Sequence, residues 1–341
     1  MPLLEIPHPH FIALLQASDA ELISQDLRAL EHQLIHAQNF QEEGLWSDAL
    51  MEYIQQAGVE NYVHLHWVAE QYYAQKLISL AHAPDFGYYY LVGYARIVAL
   101  VLRYHENMGY DRNDYFFIRG FLEHAFPTRR DLDILEIGAG SGKLLADLGR
   151  LGYGQVEGME MSAAALREAR ANIAGVLPLE RLHAMSFEDF RTNYPERRYD
   201  VVVHAHLIEH IPPHSVPSFL AEARAVLKPH GYMVVITPSR LSGPHDVTRY
   251  FREGGAMPEG FHLHEFTLRE LEAVLRPAGF GNIATVKSLP TLNSWWDASP
   301  TEASFIYKRD LEAFLMNLSW EQRKPIVDGM YYVGLVCQRT D

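Results

Sequence analysis

Asp133-Ile-Leu-Glu-Ile-Gly-Ala-Gly-Ser-Gly-Lys-Leu-Leu145 is the stretch that decides the fold. Ile134, Leu135 and Ile137 make a short apolar run of strand type, glycines follow at 138, 140 and 142, and helix-forming residues take over from Lys143. Glycines between a strand and a helix let the backbone pass close beneath a ligand, and the N–H groups of the helix start point toward it. In a doubly wound sheet such a turn holds the ribose or phosphate of a nucleotide-like cofactor. Glu136 precedes the G-x-G-x-G spacing, and Lys143 stands where a dinucleotide fold places its third glycine. A glycine turn by itself is a weak signal. The sequence around it supplies the rest.

Downstream, from Pro127 onward, strand and helix patterns alternate, the signature of a parallel sheet with crossover helices. A helix is predicted from Lys143 to Leu151, stopped by Gly152, and a second strand from Gln155 to Met159. Glu160 ends that strand, about 20 residues past the turn, where a carboxylate can accept ribose hydroxyls. Ser162 then caps a helix that runs to Ile173 and ends at Gly175. A short third strand is expected near Arg181–Met185 and a fourth at Tyr199–His204. The next helix runs from Ser215 to Leu227 and stops at Pro229-His-Gly231, before a fifth strand at Tyr232–Thr237. Asn282–Leu289 and Tyr331–Gln338 read as the sixth and seventh strands, with helices near Thr301–Leu318 and Glu321–Asp328 between them.

Four landmarks occur in register: Glu136-x-Gly-x-Gly-x-Gly142; the acidic Glu160; Tyr199-Asp-Val-Val-Val with Ile208-Glu-His210; and Leu227-Lys-Pro-His-Gly-Tyr232. His264–Leu271 through Ala278-Gly-Phe280 continues the pattern. With these landmarks, residues 133–280 resemble a class I S-adenosylmethionine-dependent methyltransferase of the ubiquinone-biosynthesis type. The resemblance implies an α/β fold, a Rossmann-like seven-strand doubly wound sheet with an antiparallel last strand. It also implies S-adenosyl-L-methionine as cofactor and S-adenosyl-L-homocysteine as product. Carried over, Glu136 and the turn Gly138, Ala139, Gly140, Ser141 and Gly142 would hold the methionine end, and Glu160 the ribose. Met161 would pack on the adenine, and His204 would lie beside the methionyl moiety. Where the family often has an aspartate for the adenine amino group, this chain has Ser186, with Phe187 or Glu188 placed to compensate. The bland alternatives are a paired structural carboxylate at Glu136 and ordinary surface charge at Glu160.

Residues 1–128 read as an all-α domain ahead of the methyltransferase-like domain, 129–341, which carries insertions at about 239–266 and 290–329. Ser18-Asp-Ala-Glu21 has the form of a capping box, with Ile23, Leu27, Leu30 and Leu34 following at helical spacing. Further helices are predicted over Leu45–Gln56, Asn61–His82, Tyr88–Asn107 and Asp114–Ala125. The region is dense in aromatics, including Tyr72, Tyr73, Tyr88, Tyr89, Tyr90, Tyr94, Tyr104, Tyr110, Tyr115, Phe116 and Phe117. These either pack between helices or close over a substrate. His64, His66, His82 and His105 are too scattered for a ligand set. The helices also offer a surface for homo-oligomerisation.

His206-Leu-Ile-Glu-His210 has the H-x-x-E-H spacing of a zinc hydrolase. Such a site needs a third ligand and a helix that aligns both histidines. Pro212-Pro213 cuts any helix short, so no metal is expected here. A second cluster follows the fifth strand: His245, Asp246, Arg249, Tyr250 and His262, on loops that leave the carboxyl end of the sheet, where ligands bind in this fold. The alternative is that His245-Asp246 merely pins its loop. A general base matters most when the methyl acceptor is a hydroxyl, and an imidazole of ordinary pKa, about 6.5, suits that task. The histidines therefore point to O-methylation of a sugar or secondary metabolite, with His206, His210, His245 or His262 as base and Tyr250 beside them. N- or C-methylation, a nicotinamide oxidoreductase, and a cofactor-binding pseudo-enzyme that acts as an interaction protein are the alternatives. Trp295-Trp296 reads equally as a cleft wall, an anchor for the helices or a dimer contact.

The net charge of −14 argues against a nucleic-acid backbone or an anionic membrane surface as partner. The lone Cys337 excludes a disulfide framework. No positively charged stretch precedes the apolar residues of Met1–Ile12, and Arg96 interrupts the apolar run Leu91–Leu102, so a cytoplasmic protein is expected.

Overall fold

A computed structural model describes residues 9–23, 46–58, 61–80, 116–291, 294–296 and 300–341, together with 85, 89, 92, 93, 96 and 97. The strands are β1 (Ile134–Ile137), β2 (Val156–Glu160), β3 (Leu182–Ala184), β4 (Tyr199–Ala205), β5 (Leu227–Pro238), β6 (Phe280–Thr291), β7 (Ser294–Trp296) and β8 (Tyr332–Arg339). They form one sheet in the order β3-β2-β1-β4-β5-β8-β6-β7. Every pair from β3 to β5 is parallel, while β8 runs antiparallel to both β5 and β6.

This is the expected doubly wound sheet with an antiparallel last strand, with two differences. The segment after the sixth strand adds β7, three residues that pair with β6 at Lys287↔Trp296 and Thr291↔Ser294. A strand edge offers unpaired N–H and C=O groups, and aromatic residues favour the pleated form, so the chain turns back to cover that edge. The fifth strand also starts earlier than read from sequence. Leu227 already pairs with Tyr199, and the ladder resumes at Val201↔Tyr232 after an irregularity. Pro229-His230-Gly231 therefore interrupts a strand rather than stopping a helix, with His230 at φ 58°.

Alternate residues of the inner strands feed two cores. Tyr199, Val202 and Val235 face one layer, with Leu220, Leu271 and Phe305 from helices. Val201, Val203, Val234 and Ile236 face the other, with Leu145, Leu166 and Phe121. A sheet covered on both faces explains the near-continuous apolar strands. At its amino end Lys228 Nζ donates to Asp133 Oδ2 at 2.6 Å and to Asp200 Oδ2 at 2.8 Å, fastening the starts of β1, β4 and β5.

Helices α1 (Pro9–Ile23), α2 (Asp48–Ala57), α3 (Tyr62–Ser79) and α4 (Phe116–Ala125) precede the sheet. Ser18-Asp-Ala-Glu21 lies inside α1 and caps nothing. Arg96 Nη2 donates to Ser18 Oγ at 2.7 Å and its Nη1 to Asp19 Oδ1 at 2.5 Å, while Tyr72 OH donates to Asp19 Oδ2 at 2.7 Å. A fully buried guanidinium requires acceptors, and that demand outweighs the local capping pattern. Tyr72 and Tyr73 are thus packing residues. Leu27, Leu30 and Leu34, most of the helix expected over Tyr88–Asn107, and the tyrosines at 88, 90, 94, 104, 110 and 115 lie outside the described residues, as do His82 and His105.

Candidate cofactor and acceptor site

The connection from β1 into helix α5 (Lys143–Arg150) takes positive φ at Gly138, Gly140 and Gly142. Two of these glycines do different work. A Cβ at Gly142 would stand 2.9 Å from Ala169 Cβ and 3.0 Å from its Cα, on helix α6 (Ala163–Ile173), so this glycine lets two helices close together. A Cβ at Gly140 would meet nothing within 4 Å, so the turn is open there.

The turn's N–H groups are largely used within the chain, contrary to the expectation that they point at a ligand. Gly138 and Ala139 donate to Met159 O at 3.0 and 2.8 Å, and Gly142 donates to Ala139 O at 2.8 Å. Gly140 N–H donates to Glu160 Oε2 at 2.8 Å, while Met161 and Ser162 N–H donate to Oε1 at 2.8 and 2.7 Å. Glu160 is therefore no loose surface charge: it ties the turn to the end of β2. Burial still holds its carboxyl above the usual range, against the pull of these three donors.

Glu136 is buried in β1, and its Oε2 meets no hydrogen-bond donor among the described residues. Burial, and then the neighbouring Glu160 charge, push its carboxyl well above the ordinary value. A buried carboxyl raised by burial and by the charge of a second one, at an open turn, forms a site that a positively charged ligand relieves. His204, at the end of β4, is fully buried, with neither ring nitrogen hydrogen-bonded among the described residues. Burial pushes it down to about 4, with Glu209 opposing, so the ring is neutral.

The remaining expected cofactor residues divide. Ser141 O accepts from Asn172 Nδ2 at 2.8 Å. Ser186 caps helix α7 (Phe187–Asn193), accepting from Asp189 N at 3.0 Å and donating to Asp189 Oδ2 at 2.8 Å. Its hydroxyl is thus engaged. Phe187 packs edge-on against Phe219, centroids 5.9 Å apart, and Met161 lies against the core of the N-terminal helices.

Beyond β4 the chain makes a short 3-10 turn, Ile208–His210. His206 enters it at φ 55°, an uncommon conformation for a residue with a side chain. Leu207 reaches to 3.6 Å from a Cβ built at Gly138, so this turn abuts the glycine turn. Glu209 is fully buried; Thr237 Oγ1 donates to its Oε2 at 3.1 Å, and His206 Nδ1 lies 3.5 Å from Oε1. Burial opposes its charge, but His206, His210 and His262 outweigh burial and hold the carboxyl at about 2.

The loop after β5 folds onto this turn. Leu263 and His264 N–H donate to Glu209 O at 2.7 and 3.3 Å, and His210 Nδ1 bonds Phe261 O at 2.9 Å. The rings of His210 and His262 approach to 5.2 Å. His262 Nδ1 bonds Glu265 Oε1 at 2.8 Å; Glu265, Asp246 and Glu209 overcome burial and lift His262 to about 9. His245 Nε2 lies 3.1 Å from both Ser242 Oγ and Ser239 O, and the main-chain N–H of His245 donates to Glu265 Oε1 at 2.6 Å. Burial, partly countered by Glu265, pushes this ring down to about 4. Tyr250 stays outside the cluster: it is 45% exposed and accepts from Arg249 Nη2 at 2.9 Å.

The loop is fastened to α3 as well. Phe261 N–H donates to Glu70 Oε2 at 3.0 Å, and Gly260 N–H donates to Asp246 Oδ2 at 2.9 Å. Trp67 stacks on Phe251, centroids 4.0 Å apart and 9° between planes, a contact worth about 0.5–1.5 kcal/mol beyond its burial. His66 pairs with Glu70 at 2.7 Å. Nothing in the sequence joined α3 to this loop.

The profile of the family described as "Methyltransferase domain" matches residues 110–285, just over half of the chain. The chain belongs to that methyltransferase family. Membership of that family sets the nicotinamide alternative aside. Among similar proteins, this methyltransferase is 33% identical over 168 residues to a ubiquinone biosynthesis O-methyltransferase of Rhodopseudomonas palustris, across 46% of this chain and 60% of that one. It is 31% identical over 179 residues to a probable S-adenosylmethionine-dependent methyltransferase of Mycolicibacterium smegmatis, across 51% of this chain and 60% of that one. The chain thus spans 60% of the length of each of these two relatives. Among solved structures, the plantazolicin methyltransferase BamL, in complex with a triazolic analog and SAH, aligns at a TM-score of 0.46 and 13% identity, across 83% of this chain and 100% of that one. No helix among the described residues is long and apolar enough to cross a membrane.

Proposed function

We propose that this methyltransferase moves the methyl group of its cofactor to a hydroxyl oxygen of a small molecule, a sugar or secondary metabolite, with His206 as general base. The observation that carries the cofactor half of this reading is the pairing of buried Glu136 with half-buried Glu160 at an open glycine turn. S-adenosyl-L-methionine supplies an electrophilic methyl on a sulfonium and brings positive charge to that pair. Glu160 would accept from the ribose, Glu136 would face the cationic end, Met161 and Phe187 would flank the base, and Gly140 would leave room for the backbone contact.

His206 supports the acceptor half. It stands at the carboxyl end of the sheet, in a left-handed conformation, beside the turn that abuts Gly138, with Glu209 3.5 Å from its Nδ1. Uncommon backbone conformations gather at functional sites. As the methyl–sulfur bond breaks and the methyl–oxygen bond forms, the hydroxyl proton passes to the imidazole. Alignment contributes roughly 7–11 kcal/mol and the base about 10²–10⁴-fold. His262, held up near 9 in the ion-free chain, is a poor choice for the proton acceptor. The relatives bear on the choice of oxygen only through the printed name O-methyltransferase. The helices α1–α3, in this reading, brace one wall of the acceptor cleft.

The test is turnover of methyl-labelled cofactor against a panel of phenols, catechols and sugars, with the labelled atom located by NMR. Label on oxygen, with turnover reduced at least 100-fold in His206→Ala and S-adenosyl-L-homocysteine affinity retained, is the expected result. Label on nitrogen or carbon, or undiminished turnover in the variant, would overturn the reading.

A further inference from the structure

We propose that Glu209, His210 and His262 form a binding site for a divalent first-row transition ion of the zinc type. One donor atom from each residue lies within 4.8 Å of the other two. An ion with bonds of about 2.1 Å holds tetrahedral ligands about 3.4 Å apart, so side-chain movements of about an ångström close the set.

Three further features distinguish this triad from a chance gathering. Its two segments are locked together by main-chain bonds, Leu263 N–H and His264 N–H both donating to Glu209 O, so the donors are held before any ion arrives. Each histidine has its Nδ1 engaged, His210 with Phe261 O at 2.9 Å and His262 with Glu265 Oε1 at 2.8 Å. That is how metal-binding histidines are oriented, with a carbonyl or carboxylate behind the ring and Nε2 presented to the ion. Finally, Glu209 is fully buried, yet its Oε1 accepts no hydrogen bond among the described residues; His206 Nδ1 at 3.5 Å is too far to supply one. A buried carboxylate oxygen left so is costly, and a cation removes the cost.

The donor chemistry selects the ion. Two imidazoles and one carboxylate suit zinc and its first-row neighbours, whereas magnesium favours carboxylates and water. Three protein ligands leave a fourth position. Resting on the O-methylation reading above, that position would take the acceptor's hydroxyl oxygen, lowering its pKa before His206 removes the proton. The ion site itself stands apart from that reading.

The experiment uses the full chain, stripped with a chelator, without cofactor or acceptor. Zinc is titrated calorimetrically and cobalt by its visible absorption, in the parent and in Glu209→Gln, His210→Gln and His262→Gln; S-adenosyl-L-homocysteine is titrated on the same samples. One equivalent of each metal should bind to the parent, with d–d bands of a low-coordinate nitrogen–oxygen site, and affinity should fall at least 100-fold in each variant that still binds S-adenosyl-L-homocysteine. Absence of such bands in the parent, or unchanged affinity in the variants, would overturn the site. Should a variant fail to fold, the parent's cobalt spectrum decides. Loss of S-adenosyl-L-homocysteine binding in the parent would count against the cofactor reading and leave the metal result standing.

Discussion

Glu70 Oε2 accepts the N–H of Phe261 at 3.0 Å, joining residues 191 positions apart, and its Oε1 holds His66 at 2.7 Å. One carboxylate on α3 thus suspends the loop that carries His262. Gly260 makes the approach feasible, because a Cβ there would fall 2.0 Å from Glu70 Oε2 and 2.6 Å from Asp246 Oδ2. Glu70→Ala should lower stability by about 1–3 kcal/mol, the cost of leaving buried donors unpaired. It should also raise the acceptor KM while S-adenosyl-L-homocysteine binding is kept. Hydrogen exchange at the Phe261 amide is the direct check: it should speed up in the variant.

The three glycines of the turn should not be equivalent. Gly142→Ala combines positive φ with a Cβ pressed into Ala169, and should cost about 2–5 kcal/mol of stability. Gly140→Ala meets open space, so the cost should be only the backbone strain of about 1–2 kcal/mol, yet it should weaken cofactor binding by narrowing the open face. Denaturant unfolding and calorimetric titration, run on both variants, separate the two effects.

Glu160→Gln should weaken S-adenosyl-L-homocysteine binding by about 10–100-fold, because hydrogen bonds to a charged acceptor contribute about 1.5–3 kcal/mol. Glu136→Gln removes charge without the turn's three N–H contacts, so it should weaken binding while leaving the melting temperature equal or higher. Its buried, unpartnered carboxyl is a liability to the folded chain alone.

A pH dependence follows from a different carboxyl. Glu312, on helix α8 (Glu302–Leu315), accepts Leu268 N–H at 2.5 Å, and burial lifts it to about 8 against that bond's pull. In the unfolded chain it titrates near its ordinary 4.5. Between these values the native state keeps a proton that the unfolded chain has released. Stability therefore falls as pH rises from about 4.5 to about 8, by up to about 1.4 kcal/mol per unit, and levels off above. Glu312→Gln should melt higher than the parent at pH 8.5, with the gap closing at pH 5.

The sheet was legible because its signals are local. Ile134–Ile137 is apolar on both faces, the glycines follow at once, and Glu160 ends the next strand. Each depends on near neighbours in sequence. The errors arose where a distant residue decided the matter. Ser18 and Asp19 look like a cap until the buried Arg96 claims them. His262 reaches His206-Leu-Ile-Glu-His210 from another loop, and α3 meets that loop through Glu70, a glutamate with no pattern around it. Tyr250 drew attention through its neighbours in sequence, but its ring turns outward.

The place of β8 has a consequence for how the chain is made. β6 and β7 leave the ribosome before β8 exists, yet β8 is the strand that joins them to β5. Until it is synthesised, β5 and β6 each present an open edge, and the β6–β7 hairpin has no strand to join it to β5. Nascent chains with unpaired edges are prone to associate with one another. A ribosome stalled between Thr291 and Tyr332 would hold out a half-closed sheet, so slow translation across that interval is where this protein is most exposed to chaperone capture or aggregation.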